Sequence, residues 1–258
     1  MKIKILNKTD REIQFLFEDS NPQFANALRR IMISEVPILA IKTVEFTAND
    51  SVLYNEMIAH RMGMIPLVFK PKDFKFKEEG EKGTSSTEVV FVINKKSPGM
   101  VYSKDMKSSN PDVKPLYDDI PIVELFDDQK LKLEAYASLG LGKDHARHQG
   151  AIATYKYLST ITLNGKLENA EECIRRCPRH ALKISGKTVS VEPSCDLCKE
   201  CIKVCSPSGS LEIKEDPTKF IFNVESVSGL DAGDLVLQAV DILKGKVKDF
   251  EKEAKKIK

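Results

Sequence analysis

The chain has 258 residues, with 40 Lys plus Arg against 38 Asp plus Glu and a net charge of +2. That length can bury a core in one large domain or two to three small ones, and the balanced charge argues neither for nor against nucleic acid. No stretch approaches the roughly 18 apolar residues of a membrane span, and Met1–Lys8 lacks the apolar core of a signal peptide, so a soluble cytoplasmic chain with reduced thiols is expected.

Residues 2–18 alternate apolar and polar around a turn near residues 7–10, which predicts a β-hairpin with Ile3, Ile5, Ile13, Phe15 and Phe17 on one buried face. Asn21-Pro22 then offers an N-cap and a proline at the first helical position, and Phe24, Ala27, Leu28 and Ile31 recur at helical spacing until Pro37. Strand character resumes over 38–47, followed by a second helix from about Ser51 to a Gly63 cap before Pro66. Residues 70–87 predict an exposed excursion. Strands are expected at 88–94, 130–137, 154–163 and 219–226, with turn-rich connections over 97–119 and 140–150. A long helix from about Asp231 closes the chain. Its Val236, Ala239, Val240, Leu243, Val247 and Phe250 form a near-heptad apolar stripe of the kind that pairs with another helix.

The cysteine region at about 165–213 carries the chemistry. Cys195, Cys198, Cys201 and Cys205 are spaced C-x2-C-x2-C-x3-C, as in bacterial-type ferredoxins, where three close cysteines and a remote Cys-Pro grip one cubane cluster. Cys177-Pro178 supplies the remote ligand, so the expected set is Cys177, Cys195, Cys198 and Cys201. The upstream half is eroded. Counting back from Cys177, Cys173 is present, but Ala170 and Leu167 stand where two further ligands would be. One 4Fe–4S cluster is therefore expected, degrading to 3Fe–4S on oxidation, with structural zinc as the competing reading. Cys173 and Cys205 are left over and should lie together as free thiols or a disulfide. The cysteines are distant in sequence from both terminal helices, which predicts that losing the cluster weakens the docking of large partners while leaving intact the pairing of those helices with a partner chain.

The stretch Asn26–Pro37, the runs Ser51–Glu56 and Ile58–Leu67, the loop Gly142–Arg147 and the segment Phe220–Ser226 together resemble the alpha-like D-subunit family of archaeal RNA polymerase. This is the family of the bacterial alpha-subunit N-terminal domain and the third-largest subunit of eukaryotic polymerase II. The resemblance covers essentially the whole chain and implies an α+β fold. A dimerisation domain of residues 1–44 plus 219–258 would be split by a β-rich insert, 45–164 plus 214–218, which itself carries a ferredoxin-like iron–sulfur module at 165–213. It implies a non-catalytic assembly subunit of DNA-directed RNA polymerase. Its partners would be subunit L as heterodimer mate, subunits N and P and the two large catalytic subunits, with DNA met only through the holoenzyme.

Phe24, Leu28, Arg29, Arg30 and Ile31 on the first helix, and Val236, Val240, Leu243, Val247 and Phe250 on the last, are the expected subunit interface. The arginine pair is expected to form ion pairs with a large subunit. His60, Arg61 and the basic loop Lys143, His145, Arg147 and His148 are further contact candidates, helix-end stabilisation being a sufficient alternative for the first two. No catalytic constellation, P-loop or zinc-protease motif is visible. The rival reading is a ferredoxin-like electron carrier or redox sensor, which the absence of flavin, haem and nucleotide motifs disfavours.

Overall fold

The computed structural model describes residues 1–78, 80, 82–185 and 188–256. Positions 79 and 81 of the expected excursion, 186 and 187 of the cysteine region and the last two residues of the closing segment lie outside the described residues. In chain order the elements are β1 (Lys2–Lys8), β2 (Glu12–Glu18), α1 (Pro22–Ser34), β3 (Ile38–Asn49), α2 (Asn55–Gly63), β4 (Leu67–Val68), β5 (Glu88–Lys95), β6 (Gly99–Tyr102), β7 (Lys107–Ser108), β8 (Lys114–Pro115), β9 (Pro121–Leu125), β10 (Leu131–Gly140), β11 (Ala151–Leu163), α3 (Ala170–Arg176), β12 (Leu182–Ser185), β13 (Thr188–Val191), α4 (Glu200–Lys203), β14 (Leu211–Ser226) and α5 (Ala232–Lys255). Packing groups residues 1–8, 13–29 and 154–223 in one compact unit and 9–12, 30–153 and 224–258 in another.

The first unit is organised on a four-stranded sheet of order β1-β2-β14-β11. Its interior is aromatic. Phe15 stacks on Phe222 at 5.0 Å, Tyr155 meets Phe222 at 5.4 Å and Phe220 at 5.6 Å, and Tyr157 meets Phe220 at 5.2 Å. Each such contact contributes about 0.5–1.5 kcal/mol beyond area burial. Ile13, Phe15 and Phe17 are buried as their alternation requires, but Ile3 and Ile5 are 64% and 57% exposed. Ile3 pairs across from Phe17 and Ile5 from Phe15, so the four share a face. The expectation of a wholly buried hairpin face therefore fails at β1: it is the sheet edge, and the covering side chains end at its neighbour.

In the second unit a sheet of order β3-β10-β5-β7 buries Leu131, Leu133, Ala135 and Ala137 of β10 at every second position, with Val89, Phe91 and Ile93 of β5. α2 packs on β3 through buried Ile58 and Met62. This helix starts later than expected. Asn49 donates through Nδ2 to the Leu53 carbonyl and Asn55 Oδ1 and accepts from Ser51, which holds 49–53 in a turn. Gly63 ends α2 without the left-handed conformation of a glycine cap. Its bareness serves close approach, since a Cβ there would stand 3.3 Å from the Ile41 carbonyl. α5 begins as expected behind Asp231. Arg11, at the hairpin turn, donates to the carbonyls of Ser226, Ser228 and Leu230 and so shapes the bend that feeds α5.

β14 is longer than expected, beginning at Leu211 rather than near 219. The extra length has a packing reason: Leu211 and Ile213 are buried with the cysteines, and the partly buried Ile161 and Leu163 at the far end of β11 pack against them.

Candidate metal centre and association surfaces

Two short helices, α3 and α4, and the β12–β13 hairpin frame the cysteine region. Cys173, Cys177, Cys195, Cys201 and Cys205 are buried there with Ala181 and Leu182, while Cys198 is exposed. Cys177 caps the C-terminus of α3, and its sulfur accepts from the Ala181 backbone N–H at 3.4 Å. Leu197 (φ 60°) and Lys199 (φ 61°) both take the left-handed conformation. These two residues lie between the successive cysteines 195, 198 and 201, and each reverses the local turn of the chain, so the loop curls instead of extending.

Burial pushes the Cys201 thiol up to about 11, with further contributions from the nearby Cys177 and Cys195 and then Cys198. Cys177, Cys195 and Cys198 each lie within electrostatic range of Cys201. Four cysteines are a donor set suited to a cationic group that binds thiolates. A single tetrahedral zinc would require sulfurs about 2.3 Å from one point. Among the described residues no group of three or more His, Cys, Asp or Glu side chains is drawn together to hold a metal ion, so the cluster reading rests on the cysteine spacing.

Cys173 and Cys205 are brought together as expected, with Sγ atoms 2.7 Å apart, and Cys205 donates to the Cys201 carbonyl at 3.0 Å. Burial, then the bond to Cys173, pushes the Cys205 thiol up to about 12. The pair links α3 to the end of the ligand loop.

Two residues of this region escape sequence reasoning. Asn169, just before α3, accepts from the Ser206 N–H at 2.8 Å and donates to the Val204 carbonyl, stitching α3 to the segment after α4. Lys156, on β11, donates through Nζ to the Cys195 carbonyl at 2.9 Å, and burial lowers its pKa. An Asn before an acidic first turn is a legible start signal for a helix, but its second partner is not. Lys156 looks in sequence like any polar position of an alternating strand.

The expected interface residues divide into buried and open groups. On α1, Leu28 and Ile31 are 4% and 3% exposed and pack within the chain's own core, so they shape the helix face rather than present it. Phe24 is half-buried and meets Phe17 at 5.6 Å. Arg29 is held on Asn26 at 3.0 Å, and Arg30 is exposed. On α5, Leu235 and Ala239 face inward, while Val236, Val240 and Leu243 are half-buried. Val247 and Phe250 are 60% and 76% exposed. The apolar stripe therefore continues past the point where the chain can cover it.

The other contact candidates are largely engaged internally. Arg61 donates to the Ile122 carbonyl at 2.8 Å. Arg147 donates to the carbonyls of Ile41 and Lys42 and leans on His145. His148 is buried and donates through Nδ1 to the Ile38 carbonyl at 2.8 Å. The basic loop is thus a strap across β3, with His148 buried beneath it and Arg147 half-buried.

A family profile for the RNA polymerase Rpb3/RpoA insert domain matches residues 44–162. The chain is 40% identical over 253 residues to the DNA-directed RNA polymerase subunit Rpo3 of Methanothermobacter thermautotrophicus, covering 95% of this chain and 96% of that one. It is 37% identical to the Rpo3 subunit of Pyrococcus horikoshii, covering 100% and 99%, and 34% identical to that of Archaeoglobus fulgidus, covering 97% of each.

Proposed function

The chain belongs to the archaeal Rpo3 family of DNA-directed RNA polymerase subunits, and on that premise we propose that its working surface is the open apolar stripe of α5. The subunit is non-catalytic; the holoenzyme is the nucleotidyltransferase. Its fold is alpha-subunit-like, of mixed α and β content.

In our reading, Val236, Val240, Leu243, Val247 and Phe250 of α5 pair with the smaller alpha-like subunit L, and Phe24 and Arg30 of α1 supply further subunit contacts. The heterodimer is the platform for the two large catalytic subunits and for subunits N and P, with DNA reached only through the holoenzyme. The observation that carries this is the exposure of Val247 and Phe250 on the continuation of the same apolar stripe whose first turns are buried through Ala232, Leu235 and Ala239. Residues 1–44 plus 219–258 are the proposed dimerisation module, 45–164 plus 214–218 the insert, and 165–213 a ferredoxin-like module. The proposed setting is the cytoplasm; among the described residues no helix is long and apolar enough to cross a membrane.

We further propose that Cys177, Cys195, Cys198 and Cys201 hold one 4Fe–4S cluster, which would supply a cross-link between the ligand loop and α3 and a one-electron redox couple. The curled loop, the N–H directed at the Cys177 sulfur and the cysteine spacing support this. Cys173 and Cys205 are proposed to stay outside the cluster. The electron-carrier alternative is not favoured, because the relatives at full coverage are polymerase subunits.

Native mass spectrometry of the tagged chain, isolated without oxygen from its own cells, tests both parts. Recovery with subunit L and the large subunits, carrying four irons and four sulfides, is the expected result. Recovery with a reductase alone would overturn the assembly role. Recovery with polymerase but with zinc or no metal would overturn the cluster.

A further inference from the structure

Lys156 is an ammonium in an unusual position. It stands on β11 between Tyr155 and Tyr157, whose rings join the aromatic interior, so strand alternation directs it to the opposite face. That face carries the cysteine loop, and Nζ reaches the Cys195 carbonyl at 2.9 Å. The side chain is half-buried, yet among the described residues it forms no ion pair. Asp196, in the same loop, is taken by Arg179 at 3.2 Å. Several other cations of the region are matched as well: Arg176 with Glu200, Lys183 with Glu192, Lys203 with Glu200.

Withdrawing a cation from water without a counter-charge is costly, and one carbonyl dipole is weak compensation. The side chain could have been a neutral donor if its purpose were only to hold the Cys195 carbonyl. A fixed positive charge calls for more negative charge than Asp196, already bonded to Arg179, supplies at longer range. Four thiolates outweigh the positive charge of an iron–sulfide core, so a ligated cluster is a net anion and becomes more negative on reduction.

We infer that Lys156 is the counter-charge of the iron–sulfur site, holding the Cys195 end of the ligand loop and raising the reduction potential of the cluster it faces. The inference rests on the cluster reading above. Reduction adds one electron to the cluster, and dithionite supplies that electron in the experiment below. The added negative charge is stabilised by the Lys156 ammonium, which is held in place by its bond to the loop.

The test is an EPR-monitored redox titration of the full chain in its polymerase assembly, prepared anaerobically as wild type, Lys156→Met and Lys156→Arg. Iron and sulfide are assayed first: their absence from the wild type would sink the cluster reading, and the role of Lys156 with it. In cluster-loaded samples, Lys156→Met should weaken the one-electron reduction equilibrium about tenfold, which is ~59 mV more negative for one electron. Lys156→Arg should restore the wild-type value, because it restores charge. Lower iron occupancy in Lys156→Met with an unchanged potential in the loaded fraction would reduce Lys156 to a structural prop and overturn its electrostatic role. A shift in Lys156→Arg equal to that in Lys156→Met would overturn it too, since charge would then not be the cause.

Discussion

His148 shows how one buried titratable side chain makes stability depend on pH. Burial, the largest cause, holds its pKa below the ordinary histidine value, against the raising effect of its bond to the Ile38 carbonyl. As pH falls through about 6.5 the unfolded chain takes up the proton before the folded one does. Stability contributed by the neutral ring is therefore complete above that pH and is lost below it, down to the folded pKa, by up to about 1.4 kcal/mol per pH unit. His148→Gln should flatten this part of the profile and cost about 1–3 kcal/mol at pH 8, where the ring is neutral in both states. Urea titrations between about pH 5.5 and 8 read both effects; an identical pH slope in the variant would exclude His148 as the origin. The sequence marks this residue only as basic, in a loop of similar residues. Its burial depends on the loop folding back onto β3, a contact 110 positions distant.

At the scale of elements, α5 divides along its length. Its first turns are locked by Ala232, Leu235 and Ala239, all fully buried, and by the bend that Arg11 holds through three carbonyls. Its later turns carry the same apolar period with no apolar side chain of the chain buried against it; apart from the Lys246 bond to Glu35, their ion pairs are exposed i,i+3 and i,i+4 contacts of small individual value. Val247→Glu combined with Phe250→Glu should therefore leave the melting of the isolated chain nearly unchanged, within about 0.5 kcal/mol. The same variant should abolish recovery of the heterodimer on size exclusion with light scattering. A large loss of stability in the isolated chain would mean that these side chains pack internally, contrary to their exposure. The heptad stripe itself is legible in sequence, because helix periodicity projects it onto one face. Which part of the stripe the chain keeps for itself is not, because that depends on what folds against the helix.

Across the whole molecule, the cysteine region is less separate than its place in sequence suggests. β11 and β14 each contribute to two interiors. Their far ends bury Leu211 and Ile213 and shield the cysteines with Ile161 and Leu163. Their near ends carry Tyr155, Tyr157, Phe220 and Phe222 into the aromatic stack with Phe15 and Phe17 of the terminal hairpin. Remoteness in sequence does not separate the hairpin from the cysteines, because both belong to the same compact unit. Replacing Cys201 by Ser should increase amide exchange over residues 165–213 and also, to a smaller degree, over residues 2–18. Hydrogen-exchange mass spectrometry of anaerobic samples reads this directly. Increased exchange confined to 165–213 would show that the two ends of β11 and β14 open independently.

Much of this protein is determined by sequence alone, where the relevant physics is local. The period of 2 in β2, the Asn21-Pro22 start of α1, the Asp231 start of α5 and the three-residue spacing of Cys195, Cys198 and Cys201 depend on covalent geometry and near neighbours. The pairing of Cys173 with Cys205 follows the same logic carried across a pseudo-repeat. What tertiary structure decides is which faces are covered. Ile3 and Ile5 have the same alternation as Phe15 and Phe17 but stand open, because β1 is an edge strand. Leu28 and Ile31 lie on the helix face expected to associate yet are buried in the chain's own core. Lys156 is one polar residue among many until β11 sets it against the ligand loop. Burial and counter-charge are properties of neighbours distant in sequence, and no local pattern records them.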